Sequence, residues 1–126
     1  MEDIKEREKI KLSVFCPCLK REVILYKNTW HYKILHDHPE VSNRIELITE
    51  ILSKDEKDTL KYRKKTDSNR VAIFKECPHL LPYNRYIKIG LKIIDEKRAV
   101  VTTVHGQRNL PKTDMEEIKW VQKILV

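Results

Sequence analysis

Glycine is scarce: the chain has only Gly90 and Gly106. Loops that cradle nucleotide phosphates need several glycines at fixed spacing, so nucleotide-cradling folds are not expected, and G-x-S-x-G and H-E-x-x-H are also absent. No apolar run exceeds four or five residues, well short of a bilayer span. The start of the chain, Met1-Glu2-Asp3-Ile4-Lys5-Glu6-Arg7, mixes both charge signs and lacks the apolar stretch of a secretory signal. The three cysteines are an odd count without disulfide-framework spacing, which points to a reducing compartment. A cytoplasmic protein that makes no membrane contact is the expectation.

Charge and periodicity supply the positive signals. Lys and Arg total 26 against 19 Asp and Glu, a net charge of +7 that suits a polyanionic partner such as RNA. The 126 residues suffice for one hydrophobic core and are too few for two comfortable domains, so a single domain over 1–126 is expected.

Residues 12–15 and 22–26 are short β-rich runs on either side of Cys16-Pro17-Cys18-Leu19-Lys20-Arg21, a turn-like junction. Asn28 or Thr29 offers an N-cap for a short helix to about His36, and Pro39 suits the first turn of a second, to about Ser53. In that second segment Val41, Ile45, Ile48, Ile51 and Leu52 recur at helical spacing. Four runs rich in Val, Ile, Tyr and Thr follow, at 60–63, 70–75, 85–94 and 98–104. In the third, Ile87, Ile89, Leu91 and Ile93 alternate with Tyr86, Lys88 and Lys92, so one face packs on helices and the other sees solvent or a ligand. Thr113 and Glu116 make a capping box for a final helix over 113–125, with Met115, Ile118, Val121, Ile124 and Leu125 on one stripe. The expected class is α+β, with N-terminal helices packed on an antiparallel meander and a C-terminal helix that packs on the sheet or on a second protomer.

Four of the five histidines fall in two places. His31, His36 and His38 lie in the helical region, and the last two flank the break between helices, where a side chain can reach over a sheet. His105 ends the last strand after Thr102 and Thr103. Strict alternation would put Val101 and Thr103 on one face, with Thr102 and Val104 on the other. A hydroxyl with His105 or Arg108 beyond it would face the same cleft as Lys88 and Arg70. Such a cleft suits cleavage of RNA: imidazole takes the 2′-hydroxyl proton, Arg or Lys holds the charge growing on phosphate, and RNA brings its own nucleophile, so no metal is required. Arg70, Lys75, Arg85 and Lys88 are the candidate phosphate contacts, and Tyr86, with Tyr62 and Tyr83, offers stacking on unpaired bases. Helix-end capping by His and a lysine-rich solvated sheet face are the competing structural readings.

Cys16-Pro17-Cys18 and Cys77-Pro78-His79 together supply four soft ligands of the Cys₃His type. Structural zinc needs both loops at one end of the sheet, and unliganded buried thiols are the preferred reading, with no cofactor.

The order of these segments resembles the phage-borne nuclease-like domains of the barnase–EndoU–colicin–RelE superfamily. The matching pieces are Val23-Ile24-Leu25, Trp30-His31, the His36-to-Glu40 stretch ending in His-Pro-Glu, the amphipathic stretch from Val41 to Leu52, the strand from Tyr86 to Ile93, and Val100 to His105 with its Val-Thr-Thr. The likeness covers about 12–110 and omits the final helix. It implies a barnase/RelE-like arrangement and a metal-independent endoribonuclease, toxin-like or acting in conflict between phage and host, with an immunity or antitoxin protein as a partner. Either His31 with His36 or Lys33 with His38 fills the paired positions of the pattern. A non-catalytic RNA-binding sheet, or a protein-interaction domain that uses the last helix through Trp120, are the alternative functions.

Overall fold

The computed structural model describes residues 9–54, 59–77 and 84–118. Half of the described residues lie in strands and less than a quarter in helical turns. The strands are β1 (Ile10–Cys16), β2 (Arg21–Tyr26), β3 (Thr59–Lys64), β4 (Asp67–Glu76), β5 (Tyr86–Ile93), β6 (Arg98–Gln107) and β7 (Met115–Glu117). They form one sheet in the order β1-β2-β6-β5-β4-β3-β7. β2 and β6 run parallel, and every other neighbouring pair is antiparallel.

This architecture overturns the expected α+β arrangement. The protein is mostly β, and its sheet is mixed because the chain leaves β2, crosses through the helical segment and returns at the far side as β3. A β1–β2 hairpin precedes the helical residues, which therefore form a crossover and not an N-terminal layer. The supposed start of the last helix is β7, paired with β3 through Tyr62↔Glu117, Arg63↔Glu116 and Lys64↔Met115. An edge strand with free backbone groups outweighs the capping-box pattern at Thr113, since pairing satisfies several amides at once. The remainder of that predicted helix, with Trp120, lies outside the described residues.

The crossover is built of short pieces. A π-helical segment (Thr29–Ile34) leads into a turn of α-helix, α1 (Leu35–Asp37), then a 3₁₀ turn (Pro39–Val41) and α2 (Ile45–Ser53). His38 sits at the break with an extended-side backbone, because the residue before a proline is excluded from the α region. Trp30, Ile34, Val41, Ile48, Ile51 and Leu52 point inward and pack on Val23 and Leu25 of β2, Ile87, Ile89 and Leu91 of β5, and Ala99, Val101 and Val104 of β6. Burying side chains of this size contributes about 1.5–3 kcal/mol each. Among the described residues no helix is long and apolar enough to cross a membrane.

A smaller apolar cluster covers part of the opposite face. Tyr62, Ala72 and Phe74 are buried there, flanked by Leu60, Tyr86, Leu110 and Met115. Leu110, on the chain between β6 and β7, packs on this cluster.

Candidate functional site

β6 carries the site, and two irregularities in its pairing decide what the site contains. The first is a bulge. Gly90 pairs with Thr103 while Leu91 pairs with Val101, so Thr102 is an extra residue in β6. Val101 and Val104 thus both enter the core. Thr102 and Thr103 both stand on the outer face over Gly90: a Cβ there would lie 3.2 Å from Thr102 Oγ1 and 2.7 Å from Thr103 Cγ2. Simple alternation separates the two hydroxyls; the bulge puts them side by side.

The second irregularity is an uncovered edge. β2 pairs with β6 only from Arg98 to Val100. Beyond that point no strand among the described residues flanks this side of β6, and the crossover packs against it. The Glu40 carboxylate accepts a hydrogen bond from the Gly106 N–H at 3.2 Å. A side chain thereby replaces the missing strand as partner of a backbone amide. The same oxygen, Glu40 Oε2, lies 3.6 Å from His38 Nδ1. Gly106 fits because the Asn84 side chain crowds it: a Cβ would fall 2.5 Å from Asn84 Nδ2.

His38 and His105 meet at this edge, with ring centroids 4.7 Å apart and planes tilted by 32°. His105 Nδ1 is 2.9 Å from the Gly106 carbonyl oxygen. A carbonyl can only accept, so Nδ1 carries the proton, and Nε2 keeps its lone pair in the neutral ring. Burial pushes the His105 pKa below its ordinary value of 6.5, helped by Lys88 and His38 and opposed by the Gly106 carbonyl and Glu40. Lys88 is the cross-strand partner of His105. Its own pKa is lowered by burial and raised in part by Asp114.

Lys88 also borders an outer-face cleft of about 400 Å³, with Arg70, Lys64, Thr102, Thr103 and Asp114 around it and Gly90 at its floor. Arg70 is 3.8 Å from Asp67. The result is a continuous track along the sheet: Arg70, the threonine pair, Lys88, then the two imidazoles.

Other expected residues fall elsewhere. His36 is 79% exposed and bonds Asp37 at 2.9 Å, and His31 is exposed on the π-helical segment. Lys75 pairs with Ile87, so its side chain lies on the crossover side of the sheet; Phe74 is the residue that shares the face of Lys88. Arg85 is exposed and ion-paired with Glu76 at 2.9 Å, and its guanidinium sits 5.5 Å from the Tyr86 ring centroid. Tyr86 is half-buried in the outer apolar cluster, and Tyr62 is buried there edge-on to Phe74, which removes it from base stacking. Tyr83 lies outside the described residues, and Arg108 is exposed just past β6.

The zinc set is not assembled. Cys16 and Cys18 flank the β1–β2 turn beside Arg21, in the row that leads to Arg98 at the start of β6. Cys77 bonds Arg85 at the other end of the sheet, in the row that leads to Gln107. All three cysteines are buried, and none forms a disulfide among the described residues. His79 lies outside the described residues. Among the described residues no group of three or more His, Cys, Asp or Glu is arranged to hold a metal ion.

The sequence offers His38, His105, Arg70, Lys88 and the threonines as separate candidates, and Glu40 only as the end of the His36-to-Glu40 stretch in the family resemblance. The His-Pro-Glu run was its signal: Pro39 holds His38 out of the helical region at the head of the turn, and there its Nδ1 lies 3.6 Å from Glu40. Compared with family models, with characterised proteins and with solved structures, the chain matches none.

Proposed function

We propose that this protein is a ribonuclease that cleaves RNA by general acid–base catalysis, with His105 and His38 as the proton-transfer pair. The observation that carries the reading is the meeting of the two imidazoles at the end of a cationic, hydroxyl-lined track. The neutral His105 presents Nε2 as the base for a 2′-hydroxyl. Lys88 is placed to hold a non-bridging phosphate oxygen as charge develops, and Thr102 and Thr103 donate to the same group or to its neighbour. His38, fixed beside Glu40, returns a proton to the departing 5′ oxygen. The products would be a 2′,3′-cyclic phosphate and a 5′ hydroxyl. RNA contributes the nucleophile, so these side chains suffice without a metal ion. The likeness of the His-Pro-Glu and Val-Thr-Thr segments to the barnase–EndoU–colicin–RelE superfamily points the same way.

The test is incubation with total cellular RNA in excess EDTA, beside His38→Ala, His105→Ala and His36→Ala variants. Fragments ending in cyclic phosphate from the parent and from His36→Ala, with loss in the other two, are expected. Salt-sensitive RNA binding with no cleavage by the parent would sink the catalytic reading and leave an RNA-binding sheet.

A further inference from the structure

The Cys16-Pro17-Cys18 turn lies at the end of the sheet remote from the histidines, and the proposed ribonuclease chemistry makes no use of it. Its two sulfurs are 3.6 Å apart. A disulfide bond is about 2.05 Å long, so closure requires a movement of about 1.5 Å. The turn holds them in register: Leu19 N–H donates to the Cys16 carbonyl and Lys20 N–H to that of Pro17, with Lys20 in the left-handed region at φ 54°. Cys77, at the other end, is not a competing partner for either thiol.

The surroundings favour one class of reactant. Cys18 borders a cleft of about 350 Å³ whose polar lining includes Lys20, Arg21, Arg63, Ser68 and Asn69. Arg21 donates to the carbonyls of Leu19 and Asp95, and Arg63 Nε is buried with no hydrogen-bond partner. Three cationic side chains thus converge beside a sulfur, and one retains an unmet donor.

We propose that Cys16 and Cys18 form a redox dithiol, oxidised to an internal disulfide by small anionic disulfides that enter this cleft. Cys18 Sγ attacks one sulfur of RS–SR, giving the Cys18–S–S–R mixed disulfide and releasing one thiolate, which takes up the proton that Cys18 gives up. Cys16 thiolate then attacks Cys18 Sγ, breaks the mixed disulfide and expels the second thiolate, which is protonated by water. Two electrons pass from the protein thiols to the small disulfide, and two RSH leave. In the reduced pair a hydrogen bond from Cys18, outweighing desolvation, lowers the Cys16 thiol to about 7, so the pair carries thiolate, the attacking form in exchange, at neutral pH. Disulfides strained by so short a ring are readily reduced, which makes the bond a reversible switch.

Reduced protein is incubated with oxidised glutathione, a net-negative disulfide, or with cystamine, a cationic one, then quenched and weighed intact. With glutathione, the parent and Cys77→Ser are expected to lose two hydrogens, with the bond mapped to Cys16 and Cys18. Cys16→Ser is expected to stop with one glutathione attached to Cys18. Arg63→Gln should slow the glutathione reaction roughly three- to tenfold, the size of one partly screened charge, and should not slow the cystamine reaction, from which it removes a repulsion. Three free thiols in the folded parent after excess glutathione would overturn the dithiol. Equal slowing of both reagents by Arg63→Gln would overturn the anionic preference.

Discussion

The two halves of β6 behave differently although they belong to one strand. From Arg98 to Val100 it lies between β2 on one side and β5 on the other, and its inward residue there, Ala99, serves only the core. From Thr102 to Gln107 it keeps β5 but loses β2. Its freed amide edge is met by Glu40, and its outer face gathers two hydroxyls and an imidazole. A strand paired on both edges has no backbone donors left to position other groups; a strand paired on one edge can borrow a side chain as partner and fix it. Here that borrowed side chain also sits next to His38, so one open edge organises the whole histidine site.

Breaking the comparison at its functional half should have the largest effect. His105→Ala is expected to reduce the rate of RNA cleavage by about 10²–10⁴, the range for loss of a general acid or base, while His36→Ala leaves it unchanged. A fluorogenic RNA substrate followed in EDTA reads both. Equal rates for the two variants would show that the open half of β6 is not where the chemistry occurs.

Removing the charge between the imidazoles and the cleft comes next. Lys88→Ala should lower kcat by about 10², comparable to the loss of one oxyanion donor. If only KM rises, Lys88 binds RNA without stabilising the transition state, and the track is a binding surface.

The packing of the open half can be tested apart from activity. Gly106→Val forces a side chain into the space held by Asn84 and should cost about 1–3 kcal/mol, read as a fall in the denaturant midpoint. A matched substitution on the doubly paired half, Val100→Ala, alters a half-buried position away from the site and should leave the pH dependence of cleavage intact.

The smallest effect is one of pH. Burial favours the neutral form of His105, so its folded pKa lies below 6.5. Between those two values the unfolded chain binds more protons than the folded one. Stability from this group is therefore present above about pH 6.5 and is lost as pH falls through the folded pKa. The acid limb of kcat/KM should accordingly lie below 6.5. Lys88→Ala, which removes a repelling charge and admits water, should move that limb upward toward 6.5. A limb that stays in place in the variant would show that Lys88 does not face the imidazole.

Much of the strand pattern was legible because period-two alternation reports burial directly. Residues 60–63, 70–75 and 98–104 fall within β3, β4 and β6, and the inward set Ile87, Ile89 and Leu91 is the core face of β5. The fold class was not legible. That β2 lies parallel to β6 depends on contacts between residues about 75 apart, which no local pattern encodes. The final helix failed for a related reason: Thr113 to Glu116 has a helix-start composition, yet β3 offered Met115 to Glu117 a row of backbone partners.

The candidate site divides along the same line. The sequence determined the chemistry available: an excess of positive charge, His38 held next to Pro39 and Glu40, a Thr-Thr-Val-His strand end, and three thiols without a framework. Tertiary structure decided which of these groups meet. Departure of β2 from β6 brought His38 and Glu40 to His105, and one extra residue in β6 put Thr102 beside Thr103. The ends of the sheet kept Cys16 and Cys18 away from Cys77. Side-chain identity is a property of each residue alone, whereas proximity depends on where strands pair, slip and part, and those choices are settled by the burial of the whole core at once.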